Sequence, residues 1–415
     1  MEPTPALVAC VTGVSTAGAL LEMCLPESWN GELLVWGHGY TNPGPSRPPF
    51  TPLALPSDEA SGVAVRDIVR ALGTETDGFY GYASTSYRRN GLVAPEAAQD
   101  LGDVSRWART QLASLAAFEG FDALPVRTYL VGASEGGLST VLAAEGPDAT
   151  ATFGGALALC APVGDFHRQI NWFGDFRVAY DYFFPGLMPG TAVDIPDVQI
   201  TEANWATAQQ AIRSALDSEP VLAEQLVGVT GVPFEVENPE TIQEAATEIL
   251  RYSFFGTNDA TEVLSGNPFE NRATTYQGSV DDDALNAGVA RHAADASALQ
   301  AIASGFETSG APHVPLVAMH TTGDPVTPFW HLERYAEKNA TAGGQTAQAI
   351  PVDRFGHCGF SLSELLAGFS FLVERVTAEA LVTSSSVFPS RELQREFLEL
   401  TGRHGGRPVV IIHRD

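Results

Sequence analysis

The sequence predicts an α/β protein with a mostly parallel sheet and helices on both faces, and three observations predict it. Short apolar runs of strand length alternate with longer stretches that repeat at helical spacing. Most of those runs are nearly continuous in apolar or small residues, as strands buried on both faces must be. Strands and helices that alternate in this way pair in parallel through helical crossovers.

The elements follow in order. Ala6 to Val11 and Ala19 to Leu25 are apolar stretches around a Gly/Ser/Thr turn and read as a hairpin. Glu32 to Trp36 (ELLVW) reads as a buried strand running into Gly37-His38-Gly39-Tyr40. Gly44, Pro45, Pro48 and Pro49 mark a long irregular loop, and Ser61 to Leu72 alternates at helical spacing. Gly78 to Ser84 is the next strand. Pro95 opens a helix through Ala116, with Leu101, Val104, Trp107, Leu112 and Leu115 on one face. Arg127 to Val131 is a strand, Gly136 onward a helix of small residues, and Gly154 to Cys160 another strand.

The alternation then breaks. Residues 163–310 give amphipathic helices without clear strands, and the sheet resumes at Val314 to His320. A helical insertion between two strands reads as a lid over the active face. A last strand, Gln345 to Pro351, leads to Gly356-His357-Cys358. Ser361 and Glu364 then have capping-box spacing at the start of a helix running to about Ala378. The expected division is a core of 1–162 and 311–400, a helical lid domain of 163–310, and an unassigned tail of 401–415. A chain of 415 residues exceeds the size at which one core stops growing, which fits a second unit.

Composition narrows the function. The net charge is −27, and Lys338 is the single lysine. A surface this acidic repels nucleic acid and anionic membranes, so neither is an expected partner. No apolar run reaches the ~18 residues of a membrane span. None of the four cysteines, Cys10, Cys24, Cys160 and Cys358, lies in a CxxC, so no metal is expected, and nothing calls for a cofactor. Cys10 and Cys24 can face each other across the hairpin or stand as two buried thiols. Met1-Glu2-Pro3-Thr4 has neither the basic nor the apolar region of a secretory leader. The even cysteine count with almost no lysine still points to an exported protein, secreted or periplasmic, whose leader is absent from this chain, with a cytoplasmic protein as the alternative.

The chemistry gathers in three loops. Gly132-Ala133-Ser134-Glu135-Gly136 follows the apolar strand Tyr129-Leu130-Val131 and precedes a helix of small residues. That is the setting of a nucleophile elbow, where a sharp turn strains the serine and large neighbours would clash. A serine needs a base, and the base needs orienting. His357 lies in a Gly-rich loop just after the last strand. Asp324 lies in Gly323-Asp324-Pro325-Val326-Thr327-Pro328, a turn that presents a carboxylate at a strand's end; Asp353 is the rival acid. The order Ser, Asp, His suits this arrangement. An oxyanion needs two fixed N–H donors. Glu135, directly after the serine at a helix N-terminus, supplies one, and Tyr40 the other, with Gly39 as second choice. His38 is expected to shape its loop.

The elbow, the His-Gly loop, Gly-Asp-Pro-Val-Thr-Pro and Gly-His-Cys together resemble the α/β-hydrolase superfamily, over roughly residues 25–162 and 311–380. The resemblance implies a largely parallel eight-stranded sheet and attack on an acyl carbon by Ser134. Asp-Pro-Val-Thr-Pro is also similar to the acid loop of proline-type aminopeptidases. His357-Cys358 resembles the tannase/feruloyl esterase pattern, in which a Cys beside the Ser bonds the Cys beside the His. Ala133 holds that position here, and Cys160 is the alternative partner. A Cys160–Cys358 bond and two free thiols both remain open, since a strand should lie between the two segments.

The function expected is hydrolysis of an uncharged ester with an apolar or aromatic part, a small-molecule substrate. The aromatic run from Asn171 to Gly186 supports it, with Trp172, Phe173, Phe183 and Phe184 as substrate-binding candidates. The alternative is a serine aminopeptidase, for which Asp281-Asp282-Asp283 or several glutamates of the insertion could bind a free amine. A non-catalytic binding protein would not need an intact Ser, Asp and His.

Overall fold

The computed structural model describes residues 7–26, 28–43, 72–74, 78–119, 127–344, 346–379, 381–384, 388, 390–403 and 410–412. The loop expected at Gly44 to Pro49 and the helix expected from Ser61 lie outside the described residues, apart from buried Leu72.

The hairpin is β1 (Leu7–Val14) and β2 (Leu20–Pro26), paired antiparallel with Cys10 directly opposite Cys24. The two are disulfide-bonded, with Cα atoms 4.1 Å apart. The remaining sheet strands are β3 (Trp29–Gly37), β4 (Gly73–Thr74), β5 (Gly78–Thr85), β6 (Arg127–Ala133), β7 (Gly155–Leu159), β8 (Leu316–Gly323) and β9 (Ala347–Phe355). They run in the order β1-β2-β5-β3-β6-β7-β8-β9, with β4 beside β5. Every pair from β5 to β9 along that path is parallel. Among the described residues the path thus has eight strands, and the two-residue β4 makes a ninth.

Helices cover both faces. On one face α1 (Ala94–Glu119) and α2 (Glu135–Glu145) pack Ala97, Leu101, Val104, Leu138 and Val141 against Leu33, Val35 and Leu130 of the sheet. Between β7 and β8 the chain builds α3 (Phe166–Phe183), α4 (Glu202–Ser218), α5 (Pro220–Thr230), α6 (Glu240–Val263), α7 (Asp282–Gly288) and α8 (Ala296–Gly305), and no strand of the sheet. These helices have a core of their own, with Phe176, Tyr180, Trp205, Ile212, Leu226, Ile249 and Phe254 fully or almost fully buried together.

After β8, α9 (Trp330–Thr341) returns to the first face, and α10 (Leu362–Thr377) covers the second. The capping box at α10 is complete. Ser361 Oγ accepts the Glu364 N–H at 3.2 Å, and the Glu364 carboxylate accepts the Ser361 N–H at 2.6 Å. The tail is not a loose end. After α11 (Arg391–Arg403), β11 (Val410–Ile412) pairs in parallel with β10 (Val382–Ser384), a long-range pairing that no local pattern announces. This is an α/β-hydrolase fold with a helical insertion after β7. No helix among the described residues is long and apolar enough to cross a membrane.

Candidate active site

Three loops meet at the carboxyl end of the sheet, where ligand sites of open α/β sheets form. β6 ends at Ala133, the chain turns at Ser134 with φ 57 and ψ −125, and α2 starts at once. A non-glycine residue in that conformation is strained, and its surroundings must hold it there. They do so by close approach. A Cβ on Gly132 would collide with the Gly136 carbonyl and the Thr140 hydroxyl, and one on Gly136 with the carbonyls of Gly37 and His38. Ser134 N–H also donates to the Leu159 carbonyl at 2.9 Å, tying the turn to β7.

His357 comes from the loop after β9, its Nε2 lying 2.9 Å from Ser134 Oγ. Its Nδ1 lies 2.8 Å from Asp324 Oδ2. Asp324 is fully buried, and its Oδ1 accepts the N–H groups of Val326 and Thr327 at 2.9 and 2.8 Å, so the turn that follows it also aims it. His320 Nε2 stands 3.6 Å from the other oxygen. Asp353, the rival acid, is exposed and accepts a hydrogen bond from Thr322 on the neighbouring strand instead.

The electrostatics follow from this geometry. Burial pushes the His357 imidazole down, but the charge and hydrogen bond of Asp324, with help from Glu248, outweigh it and hold it above its usual 6.5. Burial likewise works to raise the Asp324 carboxyl, and the His357 and His320 imidazoles overcome it, so it sits below the usual carboxylate value.

The loop after β3 lies beside the serine. A methyl group on Gly39 would meet Ser134 Cβ at 3.2 Å and Oγ at 3.8 Å, so the backbone leading into Tyr40 runs along Ser134. His38 shapes this loop, as expected. It is buried, bonded through Nδ1 to the Gly39 carbonyl at 2.8 Å and stacked on Tyr87 at 4.0 Å. The Glu135 side chain has a role that sequence reading missed. It is buried and accepts the Val93 N–H at 2.6 Å just ahead of α1; burial first, and Asp259 nearby, push its carboxyl up to about 8.

A cavity of about 130 Å³ opens beside Ser134, lined from the core by Tyr40, Leu92, Glu135, Val326 and Thr327. Pro162 and Ala192 also line it, and the insertion supplies most of the rest from two helix stripes and a loop. Phe166, Gln169, Ile170, Phe173 and Gly174 come from α3; Tyr252, Ser253, Gly256, Thr257, Ala260 and Thr261 come from α6; and Asn267, Pro268 and Phe269 come from the loop after α6. Of the four aromatics expected to bind substrate, Phe173 alone lines this cavity. Phe184 is buried in the insertion core and stacks on Tyr180 at 5.4 Å. Phe183 packs edge-on against Tyr182, and Trp172 donates its indole N–H to the Pro325 carbonyl at 2.9 Å. The helical period sends neighbouring aromatics to different sides, which a count of aromatics does not register. Asp281, Asp282 and Asp283 are also away from the cavity. Asp281 caps α7, and Asp282 accepts from Ser279.

Cys160 and Cys358 are disulfide-bonded next to the histidine. His357 with these two sulfurs, and Glu22 with Cys10 and Cys24, have metal-like spacing, but every sulfur in both groups is in a disulfide.

No family model matches the chain, and no curated protein does. Among solved structures it is similar to the rice cell wall degrading esterase LipA from Xanthomonas oryzae, at 14% identity and a TM-score of 0.41, covering 89% of this chain and 88% of that one. It is also similar to feruloyl esterase B from Aspergillus oryzae, at 14% identity and a TM-score of 0.45, covering 89% and 81%. A third is Candida antarctica lipase A in its closed state, at 13% identity and a TM-score of 0.42, covering 98% and 94%.

Proposed function

We propose that this protein is a serine hydrolase that cleaves carboxylic esters through an acyl-enzyme on Ser134. One observation carries the reading: Ser134 Oγ, His357 and Asp324 form a continuous hydrogen-bonded chain of 2.9 and 2.8 Å, with the serine strained at the cavity wall. In this reading His357 removes the serine proton as the hydroxyl attacks the acyl carbon, and later returns it to the leaving alcohol. Asp324 holds the imidazole with Nδ1 protonated and stabilises the cation that forms. The backbone N–H groups of Glu135 and Tyr40 receive the oxyanion.

The substrate class is an uncharged ester with an apolar or aromatic part. The wall is mostly apolar, and its volume is close to the ~150 Å³ of a cavity known to hold benzene. The helical insertion, residues 163–310, acts as the lid that closes this cavity over the sheet. The aminopeptidase reading draws no support from Asp281 and Asp282, which are engaged in the turn and cap at α7. The two disulfides fit an oxidising compartment outside the cytosol.

The test is a fluorophosphonate probe together with p-nitrophenyl esters and aminoacyl-p-nitroanilides. Wild type should be labelled at Ser134 and should turn over the esters in preference to the anilides. Ser134→Ala should lose labelling and fall by about 10⁶-fold in turnover with its Tm nearly unchanged. Labelling at another residue, or an alanine variant that retains activity, rules out the assignment.

A further inference from the structure

Tyr252 carries an inference that deepens the ester-hydrolase reading and rests on it. The residue lies within α6, and it lines the same cavity as Ser134 and Glu135. Its ring is held from two sides. Phe173 stacks on it at 5.5 Å, and the Tyr40 ring tilts against it at 5.8 Å. A ring pinned in this way has little freedom to swing, so its hydroxyl is aimed in advance of any ligand.

That hydroxyl makes no hydrogen bond to a described residue. Most of the polar side chains around it are already bonded. Gln169 bonds His331 and the Val326 carbonyl, Tyr40 bonds Asp259 and the Phe255 carbonyl, and Thr257 and Thr261 bond carbonyls of their own helix. Burial pushes the Tyr252 phenol up, and the charges of Glu248, Asp324 and Glu135 add to this against Arg251. The group therefore stays protonated and can donate throughout the working pH range. The residue is only partly buried at the cavity, so an acceptor on a bound ligand can take the place of water at this pre-aimed donor.

We propose that Tyr252 is a substrate-binding residue whose hydroxyl donates a hydrogen bond to an oxygen of the bound ester from the insertion's side of the cavity. Tyr252→Phe removes the one oxygen and keeps the ring between Phe173 and Tyr40. On the whole chain, with a panel of p-nitrophenyl esters, kcat/KM should fall by about tenfold, the worth of one neutral hydrogen bond. The Tm should stay close to wild type, because no hydrogen bond to a described residue is lost. A structural hydrogen bond would behave in the opposite way, and a Tm lowered by several degrees overturns the proposal. So does a kcat/KM within twofold of wild type for every ester. Fluorophosphonate labelling separates the two failures. A labelled, ester-cleaving wild type with an indifferent phenylalanine variant defeats the Tyr252 role alone, whereas an unlabelled wild type that cleaves no ester defeats both readings.

Discussion

Cys160 and Cys358 are bonded across the carboxyl end of β8, with Cα atoms 5.3 Å apart although that strand separates β7 from β9. Both cysteines have left-handed backbone, φ 46 and φ 55, and Cys160 N–H donates to the Met319 carbonyl of β8 at 2.8 Å. The chain thus turns over the end of β8 from both sides and closes the gap. The bond adjoins His357, so it restrains the proposed base, where a 1 Å error costs ~10²-fold in rate. Cys160→Ala should lower kcat by about that factor and reduce Tm, since a loop of 198 residues is no longer closed. Thiol titration of denatured, unreduced wild type should read zero. A variant with unchanged kcat would limit the bond to a stabilising role.

Asp324→Asn should lower kcat by roughly 10⁴-fold through the wrong imidazole tautomer, with little effect on KM. Asp353→Asn should do neither, because that carboxylate faces Thr322. The reverse outcome would mean that the wrong acid has been named.

The pH profile has a definite sign. The base works as neutral imidazole, and His357 is held above 6.5, so kcat/KM should fall as the pH drops through a value above 6.5. Stability follows by linkage. The raised His357 contributes below its ordinary 6.5 and loses this as the pH rises through its folded value. The lowered Asp324 contributes above its ordinary 3.8 and loses this as the pH falls through its folded value. Thermal melts of wild type and Asp324→Asn should therefore differ most between about pH 4 and 6.5. An acid limb below 6 in wild type would contradict this pairing.

Gly136→Ala should be among the most damaging single methyl additions. Its Cβ would strike the Gly37 and His38 carbonyls, which belong to the loop beside Ser134. Backbone cannot yield as a side chain does, so a loss of about 2 kcal/mol or more is expected, with labelling impaired. Gly154→Ala is the control. Its nearest neighbour would be Val376 Cγ1 at 3.6 Å, an ordinary contact, and its Tm and activity should stay close to wild type.

Phe173→Ala and Phe184→Ala should separate function from packing. Phe173 lines the cavity, so its loss should raise KM for aromatic esters more than for short aliphatic ones. Phe184 is buried in the insertion core, so its loss should cost about 3–5 kcal/mol of stability and leave the selectivity ratio alone. Equal effects on selectivity would show that Phe173 has no special place at the cavity.

Local patterns by themselves determined the sheet strands, the capping box at Ser361 and the elbow at Ser134. A buried strand needs a continuous apolar run, and a tight turn needs glycine where backbones touch; both demands act within a few residues of the chain. Asp324 and His357, the proposed acid and base, were legible for the same reason, as loop residues placed just after strands. The tertiary structure alone decided which face each side chain met. Phe173 reaches the cavity while Phe184, just past the end of α3 with a non-helical backbone, packs inward on Tyr180; where the helix stops is what separates them. Tyr252 gave no signal at all. It borders Ser134 only because α6, more than a hundred residues further along, folds back over the sheet. The Cys160–Cys358 bond stayed open in the sequence, because strand order argued against it. Two left-handed turns over the end of β8 made the pairing, a matter of three-dimensional path that no local spacing encodes.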